Sequence, residues 1–163
     1  MAIHFVADLH FNGDNARHAH PYGFADSAEM TRRICETWCA RVNPADTVWI
    51  LGNVGNPVHL AMLPGIKHLV RGALDPQPWN CLATGRYASV CDFRRLETEY
   101  GEVALFSDPS AAPETDGLVL HGRGFGQAWT REGFVCVAAE QTGWGPVSLD
   151  QILRGPLDLR HAA

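Results

Sequence analysis

Apolar positions in this chain gather into short runs, and each run stops at a glycine or an acid. The first, Ile3-His4-Phe5-Val6-Ala7-Asp8-Leu9-His10, ends on a carboxylate and an imidazole two residues apart. The second, Thr47-Val48-Trp49-Ile50-Leu51, stops at Gly52-Asn53. The third, Ile66-Lys67-His68-Leu69-Val70-Arg71, stops at Gly72-Ala73-Leu74-Asp75, and the fourth, Gly117-Leu118-Val119-Leu120-His121, at Gly122-Arg123-Gly124-Phe125. Runs of this length bounded by turn residues read as buried strands. In an open α/β sheet, the carboxyl ends of such strands are where ligands sit.

Helical spacing appears between the runs. Asp26-Ser27-Ala28-Glu29 carries a capping-box-like signal, and Met30, Ile34, Trp38 and Val42 then recur on one face until Asn43-Pro44. This predicts a helix over 27–42 with Met30 and Trp38 in its sheet-facing stripe. The loop 11–25 is long and follows the Asp8/His10 pair directly, so it is expected to overhang that strand end. Pro57 to Met62 allows a short helix, and 72–86 reads as irregular. Alternation between Ser89 and Leu105 predicts a pair of antiparallel strands, followed by a loop at 108–116, strands at 117–121 and 133–138, and a last short helix capped by Ser148. The order of elements gives an α/β or α+β class and no further resolution.

Composition narrows the functional classes. With 163 residues, 46% hydrophobic and 19% charged, the chain is expected to form one domain spanning 1–163. Thirteen Lys and Arg against eighteen Asp and Glu leave a net charge of −5, which argues against a nucleic-acid surface held by phosphate contacts. The five cysteines form no C-x-x-C pair, and Cys35 and Cys39 read as packing residues on one helix face. A reducing, cytoplasmic setting is expected, with no membrane span. Of the five tryptophans, Trp79, Trp129 and Trp144 fall near turns, where they suit either edge packing or a protein interface.

The four strand ends, taken in order, resemble the calcineurin-like metallophosphoesterases, and in particular their small bacterial and phage-type branch. The family pattern of D-x-H, G-D, G-N-H-D, a strand-end His and G-H-x-H is matched by Asp8-Leu9-His10, Gly52-Asn53, Gly72-Ala73-Leu74-Asp75, Leu105-Phe106-Ser107-Asp108 and Gly122-Arg123-Gly124-Phe125. Asp46 to Gly52, Leu63 to Gly72 and Gly145 to Ile152 are similar to the family's flanking segments, so the likeness covers nearly the whole chain. It implies a four-layer α/β/β/α sandwich of two mixed sheets around a dinuclear metal site.

The same comparison implies that most of that site is gone. Asn53 stands where the family has its bridging Asp, Ala73 for a ligand Asn, and Leu74 for the catalytic His. Ser107 or Asp108 falls at a ligand His position, and Arg123 and Phe125 replace the last two ligand His. Asp75 matches the final position of the third motif, where it is expected to brace the turn. Of the metal ligands only Asp8 and His10 survive, either as an arginine partner and a turn residue or as a residual single-metal site; Asp108, His121, His18 and His20 are the possible additional donors. An Asn amide is neutral and cannot bridge two cations as a carboxylate does, and Leu74 has no proton for a leaving alkoxide. A guanidinium repels a divalent ion, so Arg123 is expected to occupy the former metal pocket and pair with Asp8, with Asp75 as its second candidate partner.

The resulting expectation is a metallophosphoesterase-like protein that is inactive or very weak and acts as a binding or structural protein, with no catalytic residue and no cofactor. Its partner would be another protein, and its oligomeric state is left open. The alternative is a metal-dependent phosphoesterase using one divalent ion, Mn, Zn or Fe, at Asp8 and His10.

Overall fold

The computed structural model describes residues 1–12, 19–112, 117–122 and 132–154. Two mixed sheets form an α/β fold. The first has the order β4-β3-β2-β1-β9, built from β1 (Ile3–Val6), β2 (Thr47–Leu51), β3 (Ile66–Val70), β4 (Ser89–Cys91) and β9 (Val147–Ser148). Strands β1 to β4 are parallel, and β9 runs antiparallel to β1. The second has the order β5-β6-β7-β8, from β5 (Arg94–Thr98), β6 (Gly101–Phe106), β7 (Leu118–His121) and β8 (Phe134–Cys136).

Period-two alternation assigns each strand residue to a face. In the first sheet, Phe5, Trp49, Leu51 and Val70 form one buried cluster with Val103, Leu105 and Leu120 of the second and with Val137 just beyond β8. The opposite face of the first sheet presents Val6, Val48, Ile50 and Leu69 to helix α1 (Ser27–Arg41), which buries Met30, Ile34 and Trp38 against them. Asp26 accepts the Glu29 backbone N–H at 2.8 Å at the start of this helix. The Trp38 indole N–H donates to the Pro64 carbonyl at 2.9 Å, so a large aromatic is buried with its polar edge satisfied. A third cluster, Ala104, Phe106, Val119 and Phe134, lies on the outer face of the second sheet, with Ala112 packed against it. The short helix α3 (Leu149–Leu153) turns Leu149 and Ile152 into the core between the sheets, and Ser148 and Gln151 complete its capping box.

Several elements depart from the pattern in the sequence. Residues 78–83 form a helix, α2 (Pro78–Ala83), inside the segment that reads as irregular; Pro78 sits where a missing N–H costs nothing, and six residues are too few to show a period. Strand β4 joins the first sheet parallel to β3, so only β5 and β6 form the antiparallel pair expected across 89–105. Residues 57–62 form the expected short helix, wound as a 3-10 helix. Helix α1 stops at Arg41 because Val42 is already extended. Trp144 packs edge-on against Tyr22 and Phe24, whereas Trp79 is exposed, so these two do not share one exposed patch. Trp129 lies outside the described residues. No helix among the described residues is long and apolar enough to cross a membrane.

At the amino ends of the strands, Asp46 ties the chain together. Its buried carboxylate accepts from the backbone N–H of Ala2 and of Asn43, both at 2.8 Å, from the Asn43 amide at 3.3 Å and from His4 Nε2 at 3.3 Å. The two backbone hydrogen bonds hold the Asp46 carboxyl well below the usual carboxylate range, partly opposed by desolvation and assisted by His4 and Asn43. A depressed folded-state pKa gives stability that is present above the unfolded value, near pH ~4, and is lost as pH falls below it. Acid titration of Asp46→Asn followed by circular dichroism is therefore expected to show lower stability at neutral pH and a shallower loss below about pH 4 than in the parent.

Candidate functional site: a hydrogen-bonded junction at the strand ends

The carboxyl ends of β1, β2, β3, β6 and β7 converge. Beyond β1 the chain leaves regular strand geometry: Asp8, His10 and Asn12 have φ of 53°, 46° and 46°, and beyond β2 Gly52 and Asn53 have φ of 83° and 53°. Asp and Asn tolerate this left-handed region better than other side chains. The two turns run side by side. Asp8 N–H donates to Gly52 O at 3.0 Å, His10 N–H to Asn53 O at 3.0 Å, and Phe11 N–H to Val54 O at 2.9 Å.

Asp8 is buried, and its Oδ1 accepts the Asn53 side-chain amide at 2.7 Å. The other end of that amide, Asn53 Oδ1, accepts the Leu74 backbone N–H at 3.2 Å. These two contacts fix the orientation of the amide, since exchanging its ends would set oxygen against carboxylate and N–H against N–H. Asp75, also buried, accepts three backbone N–H groups: Asn53 at 2.8 Å, Val54 at 2.9 Å and Gly72 at 2.8 Å. A continuous set of hydrogen bonds thus runs from β1 through the turn after β2 to the turn after β3. Glycines make the convergence possible. A Cβ at Gly72 would lie 2.6 Å from Asn53 Oδ1, and one at Gly122 would lie 2.6 Å from Ser107 O and 3.0 Å from Asp8 Oδ2.

The remaining predicted positions fall in different places. His10 is half-buried beside Asp8 in the same turn. Ala73 and Leu74 are exposed, with Leu74 at 62% of its free surface, so this side chain faces solvent. Ser107 lies against Gly52, where a Cβ on the glycine would come within 2.7 Å of the Ser107 Cβ. The Asp108 carboxylate caps the turn Pro109–Ala111 by accepting the N–H and hydroxyl of Ser110 at 2.9 and 2.8 Å. His121 is buried on the outer face of the second sheet beside Phe134, with Nδ1 on the Gly122 carbonyl; burial pushes its pKa down, partly opposed by that carbonyl and by Asp108. Alternation along β7 sends Leu120 between the sheets and His121 the other way. His20 Nε2 meets the Ala25 carbonyl at 2.9 Å. Arg123, Phe125 and His18 lie outside the described residues, as does the expected Arg123 pairing with Asp8. Among the described residues, no group of three His, Cys, Asp or Glu side chains could hold a metal ion.

Sequence reasoning missed the His4–Asp46 pair at the other end of the sheet. The local signal was an Asp after Asn43-Pro44, a residue type that binds nearby backbone N–H groups. The long-range contact to Ala2 and His4 had no sequence counterpart.

Neither a family model nor a curated protein matches the chain. Among solved structures it is similar to a protein of unknown function, AQ665 from Aquifex aeolicus, with a TM-score of 0.73 and 21% sequence identity, over 94% of this chain and 98% of that one. At this identity the likeness establishes a shared fold.

Asp75→Ala would strand three buried N–H groups at once. At about 1–3 kcal/mol for each unsatisfied group, a loss of about 3 kcal/mol or more is expected in urea unfolding, and a smaller one for Asp75→Asn. A loss below about 1 kcal/mol would mean that Asp75 does not brace the junction.

Proposed function

We propose that this chain is a calcineurin-like metallophosphoesterase fold whose dinuclear centre has given way to a metal-free hydrogen-bonded junction, and that it serves as a cytoplasmic binding or structural protein. The two mixed sheets sharing one core, with helix α1 on the outer face of the first, support three of the four layers of that sandwich. The order of the strand-end motifs supports the family.

The observation that carries the proposal is the Asn53 amide on Asp8, 2.7 Å apart. Two divalent ions placed roughly 3.5–4 Å apart repel, and an anionic bridge offsets that repulsion. Asn53 turns N–H toward Asp8 where a bridging ligand would turn a lone pair toward an ion. The amide supplies by hydrogen bonding part of the compensation a cation would supply by charge. On this reading the donor set does not fit a two-metal centre, and Leu74, turned to solvent, offers no acid for a leaving group. The competing reading, a single Mn, Zn or Fe ion on Asp8 and His10 acting in a phosphoesterase, draws on the adjacency of those two residues in one turn.

Elemental analysis of the purified chain beside a chromogenic phosphodiester assay with Mn²⁺ separates the two. The expected outcome is substoichiometric metal and no turnover above the blank. Two ions per chain, or metal-dependent turnover, would overturn the proposal, and one ion lost on Asp8→Ala would favour the competing reading.

Asn53→Asp sharpens the test. It sets a second carboxylate against Asp8, so one of the pair is driven to keep its proton and its folded-state pKa rises. A raised carboxyl pKa leaves the variant close to the parent in acid and increasingly destabilised as pH rises toward neutrality. With Mn²⁺, phosphodiesterase activity is expected to rise by less than about 10²-fold, the scale of one catalytic group.

A further inference from the structure

The amino ends of the strands in the first sheet, opposite the junction, border an open cleft of about 460 Å³. That is within the range of small-molecule sites, roughly 300–1,000 Å³. Its two carboxylates already have donors. Asp46 accepts from Ala2, Asn43 and His4, and Asp150 accepts the Tyr100 hydroxyl at 2.9 Å while facing Arg154 at 3.9 Å. The wall is polar, with Asn43, Ser148 and Gln151 lining it beside the charged residues.

Among the described residues that line the cleft, Arg41 is the charged group without an ion-pair partner. Its Nη1 donates to three neutral acceptors, the carbonyls of Thr142 at 2.8 Å, Gly145 at 3.2 Å and Pro146 at 3.4 Å. None of the ion pairs among the described residues includes it. Burial disfavours its charged form, and the like charge of Arg33 adds to that. A half-buried guanidinium held in place by carbonyls keeps its other N–H groups for an external acceptor, and its planar fork matches a carboxylate or phosphate.

We propose that this cleft binds a small oxyanion, phosphate or carboxylate, through Arg41, with Arg154 closing the exposed side. The two carboxylates keep their charge and are balanced by Arg41 and Arg154, so an anion would be held by the guanidinium fork rather than by net charge. The site is independent of the strand-end junction and of any activity assigned there.

Amide NMR of the full-length chain tests this with sodium phosphate, sodium acetate and, at matched ionic strength, sodium chloride. Saturable shifts at Asn43, Ser148 and Gln151 are expected with phosphate, acetate or both, and not with chloride; which salt saturates identifies the oxyanion. Arg41→Gln is expected to weaken binding about tenfold or more, equivalent to ~1.4 kcal/mol. Because Arg41 also holds residues 142–146, Arg154→Gln provides a second variant at a side chain 83% exposed, with a smaller but measurable loss expected. Shifts that do not saturate, that appear equally in chloride, or that persist unchanged in both variants would overturn the proposal.

Discussion

A buried carboxylate at the end of the first strand sets the terms for everything around it. Asp8 sits where five strand ends meet, and a carboxylate removed from water must be met by a cation or by hydrogen-bond donors, or it costs several kcal/mol. The Asn53 amide meets it at 2.7 Å. That contact in turn fixes the turn after β2, because the same amide accepts from Leu74 while its own backbone N–H is held by Asp75. Three loops distant in sequence therefore have one joint solution. Gly72 and Gly122 are needed for it, since a methyl group at either would collide with the polar atoms that close the junction.

The junction also lies on the seam between the sheets. Ala7, next to Asp8, donates to Val137 O at 2.8 Å, and its carbonyl accepts from Ala139 at 2.9 Å, so the first sheet is stitched there to the chain beyond β8. The apolar cluster between the sheets surrounds this stitch with Phe5, Leu51, Leu105 and Leu120, all with no exposed surface. Loosening Asp8 would therefore disturb both sheets. A polar contact that is modest in water carries more weight here, because the low-dielectric surroundings penalise an unmet partner.

The two ends of the first sheet use opposite electrostatic solutions. At the carboxyl ends, acids are consumed by amides and backbone N–H groups, as with Asp75 and its three donors. At the amino ends, Asp46 is consumed in the same way, but Arg41, which lines the cleft there, donates only to neutral carbonyls. An architecture whose ligands bind at strand carboxyl ends in the general case thus has, among the described residues of this chain, a half-buried arginine without an ion-pair partner at the other side. The fold shared with AQ665 does not choose between these ends.

Much of the fold was legible because short-range physics writes it into the sequence. The apolar runs at 47–51 and 66–70 became β2 and β3, the Met30, Ile34 and Trp38 stripe became the buried face of α1, and Ser148 capped the final helix. Residues 78–83 and 89–91 were not legible: six residues show no period, and whether a three-residue strand pairs with β3 or β5 depends on which edge is free after the sheet forms. The same limit applies to the candidate site. Sequence placed Asp8, Asn53 and Asp75 at three strand ends. Only the tertiary structure decided that the Asn53 amide turns toward Asp8, that Asp75 gathers backbone donors from two turns, that Asp108 caps its own turn and that His121 faces away. Side-chain partners across 21 to 45 residues of separation are set by how strands align, and no local pattern of residues encodes that alignment.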